Sequence, residues 1–190
     1  MKLIALLLFI MIVLTLINGL VFMKKLIKLQ KENNMANGKI DTKIKDVDIE
    51  CTDIKRKKLY DFLDKNLILY FYPKDMTPGC TTESIEFNEN LTKIKRLKTS
   101  VVGVSRDKIS LHEKFIAKHD FKFPLISDTE EKLCKSLDVI KEKSLYGRKY
   151  MGVDRSTFII DETGKILHSW RGVKVKGHVD EVLTKLKELV

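Results

Sequence analysis

From Ile40 onward, short apolar runs alternate with longer stretches of helical spacing. The run "NLILYFY", Asn66 to Tyr72, is nearly unbroken, the pattern of a strand buried on both faces. Phe87, Leu91, Ile94 and Leu97 then recur at intervals of four, three and three, which predicts a helix. "SVVGVS", Ser100 to Ser105, is a second buried strand. Ile109 to Asp120 reads as a helix with Leu111, Phe115 and Ile116 inward and with His112 and His119 toward solvent. A short strand, Phe123 to Asp128, and a helix, Thr129 to Val139, follow. Arg155 to Asp161 and Lys165 to Gly172 flank "ETG" and predict a hairpin. A closing helix, His178 to Val190, sets Val179, Val182, Leu183 and Leu186 on one face.

The order is therefore β-α-β-α-β-α-β-β-α. Right-handed crossovers make the early strands parallel, and the hairpin adds an antiparallel pair. The predicted fold is α/β: a three-layer, thioredoxin-like arrangement with a central mixed sheet between helices, spanning residues 40–190. Ahead of it, Leu3 to Met23 carries no charge. As a helix, that stretch would reach about 31 Å, close to the ~30 Å of a hydrocarbon core. Residues 1–23 are expected to form one transmembrane signal-anchor helix, and residues 24–39 a linker. Lys24, Lys25, Lys28 and Lys31 follow the span, which leans toward a cytoplasmic catalytic domain behind a single-pass anchor.

Composition narrows the function. The 190 residues carry a net charge of +10, but only six of the 36 basic residues are Arg. The lysines are scattered beside Asp and Glu, a solvated surface with none of the clustered Arg forks that read nucleic acid. The cysteines, Cys51, Cys80 and Cys134, form no C-x-x-C pair and no zinc-spaced cluster with His.

Cys80 stands out by position. In "YPKDMTPGCTTE", Thr77 is a suitable N-cap and Pro78 suits the first helical position, which puts Cys80 in the first turn. A thiol there meets the positive end of the helix dipole and unpaired N–H groups, and both favour thiolate over thiol. The capping hydroxyl of Thr77 is expected to reach the third helical residue, within range of the sulfur or of a substrate oxygen. The turn also lies at the C-terminal end of a buried strand, where open α/β sheets place their ligands.

The stretch "YPKDMTPGCT" resembles the P-x-x-x-[TS]-x-x-C signature of peroxiredoxins, and "FYPK…TPGCTTE" is similar to the bacterioferritin comigratory protein (peroxiredoxin Q) subfamily. The resemblance runs from Ile40 to Leu189 through "VVGVSRD", "FPLISD" and "YMGVDRSTFIIDETGKI". It implies a thiol-dependent peroxidase that reduces hydrogen peroxide and organic hydroperoxides through a Cys80 sulfenic acid, without metal, haem or flavin. By that resemblance Thr77 orients the peroxide and Arg155 holds the thiolate. Pro73 and Pro78 shield and shape the pocket, and Glu83 supports it. It also implies thioredoxin or another thiol as reductant, and a monomer.

The chain departs from the subfamily where many members carry a resolving cysteine. Five residues after Cys80 stands Ile85, and Ser110 to Asp120 contains no cysteine. Cys51 and Cys134 remain as candidate resolvers beside a one-cysteine mechanism. Two other classes stand beside the peroxidase: a membrane-tethered thiol–disulfide oxidoreductase and a non-catalytic adaptor. The first lacks C-x-x-C, and the second has no use for intact Thr77, Cys80 and Arg155.

Overall fold

The computed structural model describes residues 43–190 apart from Tyr146, together with Gly19, Met23 and Lys25. The chain divides into two compact units, Met1–Ile40 and Asp41–Val190. In the second, the strands are β1 (Glu50–Cys51), β2 (Asn66–Phe71), β3 (Thr99–Ser105), β4 (Leu125–Ser127), β5 (Ile140–Leu145), β6 (Arg148–Val153), β7 (Ser156–Ile160) and β8 (Ile166–Trp170). The helices are α1 (Pro78–Glu89), α2 (Leu91–Arg96), α3 (Ile109–His119), α4 (Lys132–Ser136) and α5 (His178–Leu189), and a 3-10 turn covers Leu59–Phe62.

Six strands form one sheet in the order β1-β4-β3-β2-β7-β8. β2, β3 and β4 run parallel, while β1, β7 and β8 pair antiparallel with their neighbours. This is the expected mixed sheet. Side chains alternate across β2. Ile68, Tyr70 and Tyr72 join a core with Phe87 of α1, Ile94 of α2, Phe115 of α3 and Val182 and Leu186 of α5. Phe71 points to the other face, edge-on to Phe158 of β7. The strand is buried from Leu67 to Phe71, as its unbroken apolar run requires.

The structure differs from the sequence reading at several places. The predicted helix after Cys80 is two helices, divided at Asn90. α4 is shorter than predicted, and β1 and the 3-10 turn were not foreseen. A separate two-stranded ribbon, β5–β6, occupies residues 140–153, most of whose described side chains are exposed. α3 is turned by about one position. Leu111, expected inward, is exposed, while His112, expected in solvent, is fully buried with Phe115. The polar partners described below account for that rotation.

Among the described residues no helix is long and apolar enough to cross a membrane. The longest, α1 and α5, have 12 residues each, about 18 Å against a core of ~30 Å. This corrects the expectation of a single-pass membrane protein with a cytoplasmic catalytic domain. Residues 3–23 and 24–39, on which that expectation rested, lie outside the described residues apart from Gly19, Met23 and Lys25.

Candidate active site

Thr77 caps α1, with Pro78 at the first helical position. Pro78 has no N–H to leave unpaired there and its fixed φ suits the helix. Cys80 follows in the first turn, 1 % exposed. The Thr77 carbonyl accepts the first intrahelical bond, from Thr81 N at 2.9 Å. Its hydroxyl, however, makes no cap bond. It donates back to the Lys74 carbonyl at 2.9 Å, so the expected reach to the third helical residue is corrected. Pro73 and Pro78 are both exposed.

Arg155 arrives from immediately before β7, the strand beside β2 in the sheet. Antiparallel pairing sets Ser156 opposite Phe71, so Arg155 emerges level with the end of β2. Its backbone is fixed on both sides: Asp154 N donates to Val139 O at 2.7 Å, and Val173 N donates to Arg155 O at 2.9 Å. The guanidinium then divides its donors. Nη2 donates to Cys80 Sγ at 3.2 Å, and Nη1 donates to Glu83 Oε2. Glu83 lies three residues after Cys80 and so shares its helix face.

Glu83 is completely buried, and its Oε1 has no hydrogen-bond partner among the described residues. Burial raises its pKa to about 7, outweighing the opposing pull of Arg155. For Arg155 the balance is reversed. Burial disfavours its charge, but Glu83 and Cys80 hold its proton more tightly than usual. A second group behind the arginine, His178, contacts Thr157 Oγ1 through Nε2 at 2.7 Å. Burial, then the nearby Arg155 charge, lowers its pKa to about 4.

The other cysteines are placed differently. All three are free and buried. Cys80 belongs to the core cluster with Tyr70, Tyr72 and Phe87; neither Cys51 nor Cys134 does. Cys51 Sγ donates to Asp53 O at 3.0 Å, and burial raises its pKa. Burial, reinforced by the Asp128 carboxylate, pushes the Cys134 thiol far up, which makes it a poor nucleophile. Ile85, in the position where many relatives carry a resolving cysteine, is half-buried on α1.

A cysteine in the first turn of a helix, held by a guanidinium at the C-terminal edge of a thioredoxin-like sheet, defines a thiol-based redox enzyme. Comparison with known proteins specifies the kind. The AhpC/TSA family matches residues 40–169. Peroxiredoxin Bcp of Bacillus subtilis is 44% identical over 150 residues, covering 79% of this chain and 96% of that one. Peroxiredoxin Bcp of Xanthomonas campestris is 50% identical over 121 residues, covering 64% and 76%. A solved structure of Xanthomonas campestris Peroxiredoxin Q superposes with a TM-score of 0.69 at 43% identity, covering 75% and 90%. A structure of bacterioferritin comigratory protein from the same organism, described for its alkyl peroxide reduction activity, gives 0.69 at 42%, covering the same shares. The chain belongs to the AhpC/TSA family, in its Bcp/PrxQ group of peroxiredoxins. It is a thiol-dependent peroxidase, and neither the oxidoreductase nor the adaptor reading stands.

The sequence missed one buried polar group beside this site. Asp75 and His112 are bonded to each other, 37 positions apart in the chain. Only the placement of Asp75 in the turn before Thr77 hinted at it.

Proposed function

We propose that Cys80 is the peroxidatic cysteine and that residues 40–190 form the catalytic domain. The observation that carries this reading is the donation from Arg155 Nη2 to Cys80 Sγ at the start of α1. The thiolate attacks the terminal oxygen of a hydroperoxide. An S–O bond forms as the O–O bond breaks, and the departing oxygen takes one proton and leaves as water or an alcohol. Cys80 becomes a sulfenic acid. The guanidinium steadies the sulfur before attack and meets charge developing on the peroxide oxygens. Thr77 spends its hydroxyl hydrogen on Lys74 O, leaving its oxygen lone pairs to accept the peroxide O–H. The substrates are hydrogen peroxide and organic hydroperoxides. The alkyl peroxide activity described for the Xanthomonas relative supports the second class.

The cycle closes with an external thiol. The sulfenic acid condenses with one thiol, giving a mixed disulfide and water, and a second thiol releases Cys80 as the thiol. Thioredoxin or a smaller thiol serves. The one-cysteine form is supported by Ile85 on α1, the cysteine-free α3, and the burial of Cys51 and Cys134 in other surroundings.

The test uses the full chain as wild type, Cys80→Ser, Cys51→Ser and Cys134→Ser. Peroxide consumption is followed with a dithiol or thioredoxin, and intact mass is read after one equivalent of peroxide. Loss of activity in Cys80→Ser alone, with one oxygen gained by the wild type, is the expected result. A wild type that instead loses two hydrogens, restored by Cys51→Ser or Cys134→Ser, would replace the one-cysteine cycle with an internal disulfide.

A further inference from the structure

Five segments meet at one buried polar cluster next to the Cys80 turn. Asp75 is 5% exposed, and His112 of α3 and Tyr72 at the end of β2 are fully buried. His112 Nε2 faces Ile126 O of β4 at 3.1 Å, so it carries a hydrogen and donates. His112 Nδ1 lies 2.8 Å from Asp75 Oδ2, and one proton is shared across that contact. Asp75 Oδ1 accepts from the Tyr72 hydroxyl at 2.7 Å. Asp75 N donates to Asp107 Oδ2 at 2.7 Å, and that carboxylate also accepts from Ser105 Oγ at the end of β3. Both ring nitrogens and both Asp75 oxygens are therefore engaged.

Burying such a pair carries a desolvation cost, and apolar pairs of the same volume are often no less stable. What the pair supplies is direction. It ties the turn at residues 73–77 to α3 and β4. That turn needs holding, because Met76, exposed and not glycine, sits at φ 60°. The left-handed region is strained for such a residue, and it persists only where neighbours fix it. Met76 stands between Asp75 and Thr77, and no hydrogen bond among the described residues joins the pair to Cys80, Arg155 or Glu83.

We propose that the Asp75–His112 pair is a positioning clasp: it holds the turn at residues 73–77 so that Thr77 and the first turn of α1 present Cys80 to Arg155. The inference rests on the reading of Cys80 as the attacking group. It makes two readouts move in opposite directions. With the clasp open, Cys80 loses its alignment with Arg155 and reacts more slowly with peroxide. The same sulfur, now uncovered, reacts faster with a bulky alkylating agent.

The experiment labels the full chain with N-ethylmaleimide, resolves Cys51, Cys80 and Cys134 by peptide mass spectrometry, and measures the peroxide rate constant in parallel. In His112→Leu, Cys80 labelling should rise at least tenfold and the peroxide rate constant fall at least tenfold, with Cys51 and Cys134 still protected. Tyr72→Phe, which loses only a hydroxyl, should move both readouts several-fold in the same senses, and it decides the matter if His112→Leu does not fold. Asp75→Asn should keep Cys80 as protected as in the wild type, because its amide can donate to Nδ1 while its oxygen accepts from Tyr72. The clasp is overturned if Cys80 labelling in Tyr72→Phe and any folded His112→Leu stays within twofold of wild type. It is equally overturned if Cys134 is labelled in step with Cys80, which would mean that the pair holds the whole fold. A wild type that consumes no peroxide while the labelling pattern holds would refute the role of Cys80 and support the clasp.

Discussion

Arg155 donates to Cys80 Sγ from Nη2 at 3.2 Å while Nη1 of the same guanidinium holds Glu83. The two acceptors sit on one face of α1, and a planar fork reaches both at once. A lysine ammonium carries a charge of the same sign but lacks the fork, so it can satisfy one acceptor only by abandoning the geometry of the other. Arg155→Lys should therefore fold, because Glu83 keeps a cation, yet lose about 10²–10³ in its second-order rate constant with hydrogen peroxide. Stopped-flow or competition kinetics would measure it. A loss under threefold would mean that the charge alone matters and the fork does not.

Glu83 and His178 impose opposite pH dependences on stability. Burial raises the Glu83 pKa from 4.5 to about 7, so between those values the folded chain binds the proton more tightly than the unfolded one. Stability then falls as pH rises, by roughly 3 kcal/mol across the window. His178 is lowered from 6.5 to about 4 by burial and by Arg155, so there the unfolded chain binds the proton more tightly. Its contribution rises with pH over that range. Glu83→Gln keeps a hydrogen-bonding partner for Arg155 but removes the falling component. Urea titrations from pH 4.5 to 7 should show the variant gaining on wild type steadily as pH increases. A difference that stays flat with pH would mean that Glu83 ionises as an ordinary carboxylate.

Local patterns reached much of this structure. The apolar run at β2, the Thr77–Pro78 start of α1, the β7–β8 hairpin and the buried face of α5 all carry their signal within a few residues. What periodicity could not supply is which side of α3 turns inward. Leu111 and His112 are neighbours, and hydrophobicity favours the first. The outcome is set by Asp75, Tyr72 and the Ile126 carbonyl, which make a buried place for an imidazole from distant parts of the chain. The β5–β6 ribbon escaped for a different reason: a mostly exposed ribbon leaves no alternation to read. The contact between Cys80 and Arg155, 75 positions apart, came only through the family resemblance, since no local rule links them.

The packing under α1 can be tested at Gly103 of β3. A Cβ there would lie 2.7 Å from both Leu125 Cδ2 and the Tyr70 hydroxyl, and 2.8 Å from Tyr70 Cζ. The Tyr70 ring has little room to yield. It packs 4.7 Å from Phe87 and 5.5 Å from Tyr72, and its hydroxyl contacts Ser84 Oγ of α1 at 2.9 Å. One methyl at position 103 must therefore push on the helix that carries Cys80 and Glu83. Gly103→Ala should cost about 1–3 kcal/mol, lowering Tm by roughly 2–12 °C for a chain of this size. The peroxide rate constant should fall with it, because Ser84 lies between Cys80 and Phe87 on α1. Tyr70→Phe removes one of the atoms that the methyl strikes. The double variant should accordingly be less destabilised than the sum of the two single variants, by about 0.5 kcal/mol or more. Strict additivity in thermal or urea unfolding would show that the methyl is accommodated by Leu125 instead, leaving Tyr70 and α1 where they are.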